Sequence, residues 1–466
     1  MEKRTQSLNF VAVFNILSPL VLNGLAFFTM PIFTRILGTE AYGLYTNYSS
    51  YCNILAVLVG FQAAGAIAPA SVYYSGEDRD KCFSNIITMA LISAAAIGAL
   101  LFALGNPISA FTGISKPMLA VLFFHSLGIF AVNFAASKYN YDKKSFLSFI
   151  ISTGLSVASI GLSLLLILKI DPTHLYEGYT FGHAAPYALV GVLLAYKMLR
   201  RGRSYFKKEY WAFTLALCLP LIFHQLSNSL LHQCDKIMLK NILNDDSAVG
   251  IYGFAVTFAN ILNIVWGALN TTFVPFYHDD VKANNLDALN RKVRNYTFLF
   301  SCLAVGFIFA SPEVAKLFGA EDFWSATKII PLLAYGLYFV FLYSFPVNFE
   351  FYHRRTKTIA LGTALAAVMN VVLNLLFIGW WGMVGAALAT AVSYIFLCLF
   401  HTILARITIK EPYPFESKPL IFGFAFVTAA LGIFYLIADL WVIRWVVFAL
   451  LAAAILIKVK KQKTIF

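Results

Sequence analysis

Charge is what this chain has least of. Asp, Glu, Lys and Arg make up 12% of its 466 residues, against roughly 25% in an ordinary soluble domain. That scarcity, with a mean hydropathy of +0.75, excludes a soluble globular protein, and nothing in the charge distribution argues for nucleic acid. The six cysteines, at 52, 82, 218, 234, 302 and 398, stand singly with no CxxC pair, so neither a disulfide framework nor a zinc site is expected. The chain has no P-loop or other Gly-rich phosphate cradle, and no polar stretch long enough to form a soluble ATP-binding domain. The pairs Asp245-Asp246 and Asp279-Asp280 lack His or Cys at ligand spacing and read as helix caps and solvated turns. No catalytic residue, metal or cofactor is expected, and uphill transport would have to draw on ion gradients or on the fate of the substrate.

What the chain has instead is apolar length. About 20 helical residues cross a hydrocarbon core of roughly 30 Å, and fourteen such runs follow one another from residues 9–33 to 440–458 with no long connection. The expected fold is an all-α integral membrane protein. The first run is too long for a signal peptide and carries Asn15, Pro19 and Asn23, so it reads as a retained span. With the N-terminus inside, all but eight of the 35 Lys and Arg fall in inner segments, which puts both termini in the cytoplasm of a multi-pass protein. The inner basic clusters, such as "KMLRRGRSYFKK" and "RRTK", also suit anionic membrane lipid.

A repeat organises the spans. Tyr42 to Gly60 aligns with Val249 to Gly267 at a constant shift of 207, and the identities include Gly43/Gly250, Tyr45/Tyr252, Asn53/Asn260 and Gly60/Gly267. The alignment predicts two parallel six-helix lobes around a central cavity, residues 1–205 and 206–410, followed by two additional C-terminal helices and a basic tail in 411–466.

Polar stripes say where the cavity would lie. On the eighth span Thr257, Asn260, Asn263, Gly267 and Asn270 recur at three and four, and on the seventh His224, Asn228, His232 and Asp235 do the same, with Gln225 and Gln233 beside them. A row of amides facing lipid is costly, so these faces should meet water or protein. Asn53 and Tyr48 on the second span and Asn23 on the first extend the set, and Arg35 ends the first span on the outer side. Interhelical hydrogen bonding is the plainer explanation for any single Asn, and snorkelling into headgroups is the plainer one for Arg35. Asp235 is the candidate for coupling transport to H⁺ or Na⁺. His125 and His183 read as satisfied intramembrane hydrogen-bonding groups.

At this point a family resemblance enters. "FTRILGTEAYGLY" resembles the RxLGxxxYGxY signature of bacterial polysaccharide flippases, the O-antigen-type transporters, and "DKIMLKNILNDDSAVGIYGFA" resembles their second-half signature. These belong to the multidrug, oligosaccharidyl-lipid and polysaccharide exporter superfamily. The resemblance implies a cavity between the first, second, seventh and eighth helices. It also implies a flippase that moves a polyprenyl pyrophosphate-linked oligosaccharide from the inner to the outer leaflet of the bacterial cell membrane by alternating access, with a polysaccharide polymerase and assembly proteins as candidate partners. Cavities in that family often hold several cations, whereas the stripes here are mostly amide, hydroxyl and His. Two alternatives stand beside it. A cation-coupled drug or sodium antiporter should bury acidic residues in mid-span, and none lies between the ends of the first twelve spans. A membrane-embedded polysaccharide polymerase or glycosyltransferase should carry a sizeable outer catalytic loop, and the outer loops are short.

Overall fold

The computed structural model describes residues 8–462, and their side chains from residue 21 onward except 22, 23, 26 and 462; the side chains of Asn15, Ser18, Pro19 and the expected cavity residue Asn23 therefore lie outside what is described. The described chain is all helix and connecting turn, without strands. Its long helices are α1 (8–37), α2 (39–59), α3 (Gly76–Ala103), α4 (Lys116–Tyr141), α5 (Ser145–Ile167), α6 (Leu175–Gly202), α7 (Lys208–Leu243), α8 (Asp246–Lys282), α9 (Leu286–Phe318), α10 (Ile330–Tyr352), α11 (356–381), α12 (383–408), α13 (Ser417–Leu436) and α14 (Trp441–Gln462). They fall where the fourteen apolar runs put them. Gly38, at φ 67°, separates α1 from α2, and Gly382, at φ 56°, separates α11 from α12. Both angles lie in the left-handed region that favours glycine, so each pair of helices turns on a single residue.

One departure from the sequence reading matters for function. The second span was expected to continue to residue 69, but α2 stops at Val59. Phe61 and Gln62 adopt positive φ of 51° and 49°, and the chain resumes at an angle of 44° as a short helical stretch from Ala63 to Tyr73. Its counterpart in the repeat, α8, runs 37 residues without such a break.

The chain divides into two compact units, one ending at Gly250 and the other beginning at Ile251. The first therefore contains α7, which packs on α1, α2 and α3. This division describes packing. The 1–205 and 206–410 lobes are a reading of the repeat, which packing does not measure.

Within the first unit, helices approach through small residues, as membrane helices do in the absence of a hydrophobic drive between them. A Cβ on Gly191 of α6 would lie 2.6 Å from the Cα of Gly128 in α4, and one on Gly182 would lie 2.5 Å from the Cα of Ser163 in α5. The Ser163 hydroxyl donates to the Tyr179 carbonyl at 3.0 Å. At the connection after α4, Asp142 bridges Lys138 (2.8 Å) and Arg79 (3.0 Å). Partial burial alone would raise its carboxyl pKa, and the two cations outweigh that and hold it below the usual range.

The tightest approach joins the two signature segments. A Cβ on Gly43 would stand 2.9 Å from the Gly250 nitrogen and inside the Asp246 carbonyl; a Cβ on Gly250 would stand 3.0 Å from the Gly43 nitrogen and inside the Thr39 carbonyl. At the shift of 207, Gly43 is the counterpart of Gly250 and Thr39 of Asp246. The contact is thus reciprocal, each residue meeting the partner of its own partner, as at a two-fold axis. Thr39 and Ser247 add a hydroxyl contact of 3.1 Å.

The second unit is built around α10, the most buried of its spans. Phe273, Tyr296, Phe300, Tyr338, Phe341 and Phe345 form an aromatic core. The Tyr338 hydroxyl finds Ser301 at 2.7 Å, as a buried phenol must. On α14, Arg444 is buried against Glu313 and donates to the Phe309 carbonyl at 3.0 Å.

The glycine contact sets a measurable expectation. Gly43→Val or Gly250→Val must separate two backbones, and overpacking of this kind costs about 1–3 kcal/mol. Both variants should unfold at a lower temperature in detergent, whereas Gly154→Ala, in α5 with open space beyond its Cα, should match the unsubstituted protein.

Candidate functional site

A polar cavity of the first unit lies at the break after α2. It has a volume of about 390 Å³, within the range of roughly 300–1,000 Å³ common for ligand pockets. Asn53 and Gly60 on α2, Gln62 at the break, Asn133 on α4, and Gln225, Asn228, Ser229, His232 and Gln233 on α7 line it, with Phe130 and small aliphatic side chains between them. Gly60 is required there, because a Cβ would enter the Phe130 ring.

The lining carries no Asp, Glu, Lys or Arg. Each amide offers both an acceptor oxygen and a donor NH₂, and part of that capacity is already committed. Asn53 donates to the Ser49 carbonyl at 2.9 Å, which leaves its oxygen for the cavity. The Gln233 oxygen accepts from Lys236 Nζ at 2.9 Å, which leaves its NH₂. Lys236 is therefore tethered to the wall, while Lys240, one turn on, pairs with Asp246 at 2.6 Å.

The expected site residues divide. Asn53, Asn228 and His232 meet in this cavity. Tyr48 does not: it is fully buried in the core between α2, α4 and α6, with its hydroxyl 3.2 Å from His125 Nδ1. Five residues before Asn53, it lies well round the helix. His125 and His183 share that core, their rings 6.5 Å apart. Arg35 turns back on its own helix, donating to the Pro31 carbonyl at 2.8 Å. His224 and Asp235 lie outside the lining, and Asp235 is buried. At 100° per residue, the face formed by Gln225, Asn228, Ser229, His232 and Gln233 is rotated by about 70° from the expected His224–Asp235 stripe. The glutamines placed beside that stripe are thus central. Ser229 and Asn133 escaped notice, though Ser229 stands four residues after Gln225 and Asn133 is the one amide of an otherwise apolar segment.

In the second unit the α8 stripe is ordered by short bonds. Thr257 donates to the Gly253 carbonyl at 2.8 Å, Asn263 to the Asn260 oxygen at 3.1 Å, and Asn348 of α10 to the Asn270 oxygen at 3.5 Å. Asn260, Asn263 and Asn270 remain half-buried, and the core of the unit takes Tyr252, Phe254, Phe258 and Leu262 from the same helix. This unit also buries a carboxylate near the end of a span, which the sequence reading placed outside it. Glu350 of α10 is fully buried, 2.7 Å from His401 Nδ1 of α12, with the Thr358 hydroxyl 3.3 Å away.

Among the described residues ten helices, with α11 and α12 taken as one, are long and apolar enough to cross a bilayer, and an eleventh if the bent pair between residues 27 and 73 is one span; the chain is a polytopic membrane protein, with amides and hydroxyls gathered in a cavity of its first unit. The chain belongs to the polysaccharide biosynthesis protein family, whose model matches residues 12–279, more than half its length. It is similar to Lsg locus putative protein 1 of Haemophilus influenzae, 22% identical over 366 residues that cover 74% of this chain and 85% of that protein. An uncharacterized membrane protein of the same organism is 23% identical, covering 79% and 87%. Among solved structures, the fold matches the lipid II flippase MurJ in an inward closed conformation, with TM-score 0.76, 18% identity and coverage of 97% of this chain and 100% of that one. It also matches an inward-facing MATE family multidrug resistance transporter of the MOP superfamily, with TM-score 0.60, 16% identity and coverage of 84% and 98%.

The cavity can be tested by accessibility. In a background without the six native cysteines, a cysteine replacing Asn228 or Gln225 should react with a small water-soluble thiol reagent. One replacing Tyr48 should not, and equal labelling at all three positions would remove the distinction between cavity and core.

Proposed function

We propose that this protein is a flippase that moves a polyprenyl pyrophosphate-linked oligosaccharide from the inner to the outer leaflet of the bacterial cell membrane, with both termini cytoplasmic. The observation that carries the reading is the uncharged cavity of amide, hydroxyl and imidazole groups within apolar helices. A sugar presents many hydroxyls in varied directions, and side chains that both donate and accept can replace its water without imposing one geometry. Family membership and the fold shared with a flippase and a multidrug transporter support the same reading. The lipid tail stays in the bilayer and only the head crosses, by alternating access, with no bond made or broken. Lys236, held at the cavity wall by Gln233, supplies positive charge for the pyrophosphate. The half-buried amides of α8, from Asn260 to Asn270, extend the polar path, and Asn23 and Arg35 belong to its approaches. A polysaccharide polymerase and assembly proteins act on the delivered product.

Cells lacking the protein should accumulate lipid-linked oligosaccharide on the inner leaflet and lose surface polymer while sugar transfer in their membranes stays normal. Asn228→Leu should lower surface polymer about fivefold at unchanged abundance, the effect of one hydrogen bond of about 1 kcal/mol. Unaltered export from this variant would detach the cavity from the substrate.

Ion coupling is the second reading, and the buried Asp235 and Glu350–His401 groups favour it; in their fullest role they would make the chain a drug or sodium antiporter. Asp235→Asn should then abolish the response of export to the proton or sodium gradient. A response that persists at normal abundance would leave Asp235 a structural group.

A further inference from the structure

We propose that the second unit carries a binding site for an anionic phospholipid of the surrounding bilayer, formed by Arg294, Lys458 and the apolar cavity between α9, α13 and α14. The cavity has a volume of about 290 Å³, and its walls come mainly from Phe298, Pro419, Phe422, Phe426, Leu451 and Ala454. It lies on a bilayer-facing side: α14 is almost unburied along its length, and Phe422 is 72% exposed. Gly423 shapes the inner end, since a Cβ there would stand 2.5 Å from the Tyr338 hydroxyl and 2.8 Å from Thr297.

The mouth of the cavity is cationic. Arg294 lies at its rim, and Lys458 Nζ stands 3.9 Å over the Phe298 ring. Arg294 stands one helical turn from Phe298, so both cations neighbour the same ring. No carboxylate pairs with either among the described residues, although nearby Lys292 is held by Asp280 at 2.5 Å. Two like charges beside an apolar cavity are stabilised by an anion between them, and a phosphate attached to an acyl chain satisfies both halves of the site.

One turn further in, about 4.5 Å along α9, Thr297 lines the cavity with a hydroxyl that is buried and has no protein partner. A phospholipid carries ester oxygens at about that depth below its phosphate. The order along α9 is then cation, hydroxyl, aromatic wall, matching headgroup, glycerol ester and acyl chain. A soluble phosphate would leave the apolar walls unused, and a neutral lipid would leave the cation pair unanswered.

The test uses the full-length protein, purified and examined by native mass spectrometry with phosphatidylglycerol and with phosphatidylcholine. The unsubstituted protein should retain phosphatidylglycerol several-fold better. Arg294→Gln with Lys458→Gln should weaken that retention about tenfold or more, given roughly 1 kcal/mol for each basic residue at an anionic membrane surface. Ala454→Phe, which fills the cavity without changing charge, should weaken retention of both lipids. Equal retention of the two lipids by the unsubstituted protein, or undiminished phosphatidylglycerol in the double variant, would overturn the proposal. So would preferential capture of a polyprenyl phosphate, which would assign the site to the other phosphate-bearing lipid. If Ala454→Phe fails to fold, the charge variant decides alone, with its unfolding temperature confirming an intact protein.

Discussion

A polar group inside a bilayer has no water to fall back on, and most of this structure follows from that constraint. Backbone groups meet it by staying helical, which is why turns between spans are as short as the single residues Gly38 and Gly382. Side chains meet it in two ways. Tyr48, Tyr338, Ser163 and Glu350 are buried with a partner at hydrogen-bond distance, and they bind helices together. Asn53 and Gln233 are only partly committed and keep a donor or acceptor for the cavity that Gln62 and Asn228 also line. The contrast separates packing groups from candidate ligand groups better than polarity alone, because both classes are polar.

Close approach is the second theme. Where Gly128, Gly182 and Gly191 sit, α4, α5 and α6 come near enough for carbonyls and hydroxyls to cross between helices. The Gly43–Gly250 contact adds reciprocity. A repeat whose two copies touch through corresponding residues needs only one kind of side chain to be right, and it needs it twice. That explains why the glycine of the GxY segment occurs in both copies while much around it has diverged. Gly60 and Gly267 show the opposite outcome: the first is pressed against Phe130, and the second has open space around it.

Much of the architecture was legible because hydrophobic length is a robust signal. Fourteen runs became fourteen helices, and the repeat identified the segments that now touch. The candidate site was only partly legible. Counting residues at three and four finds a helical face but not its rotation, so the α7 stripe was centred on His224 and Asp235 when the cavity takes Gln225 and Ser229. Tyr48 was grouped with Asn53 by proximity in the chain, and only the neighbours on α4 and α6 show that it points into the core. Glu350 lies just past the end of the tenth apolar run, so the sequence reading left it outside the span. What buries it is His401, some fifty residues away, and no local pattern carries that information. The left-handed pair Phe61–Gln62 left no trace either, since neither residue is a glycine or a proline.

That pair has a geometric meaning. An uninterrupted helix is a stiff rod, and its direction at one end is its direction at the other. By ending α2 at Val59 and restarting the chain at Ala63, the protein gives the wall formed by Ala63 and Ala64 a direction different from that of the segment packed at Gly43. The 44° change of direction sets Ala63 and Ala64 across the end of α2, so the cavity is closed by backbone that a continuous helix would have carried past it.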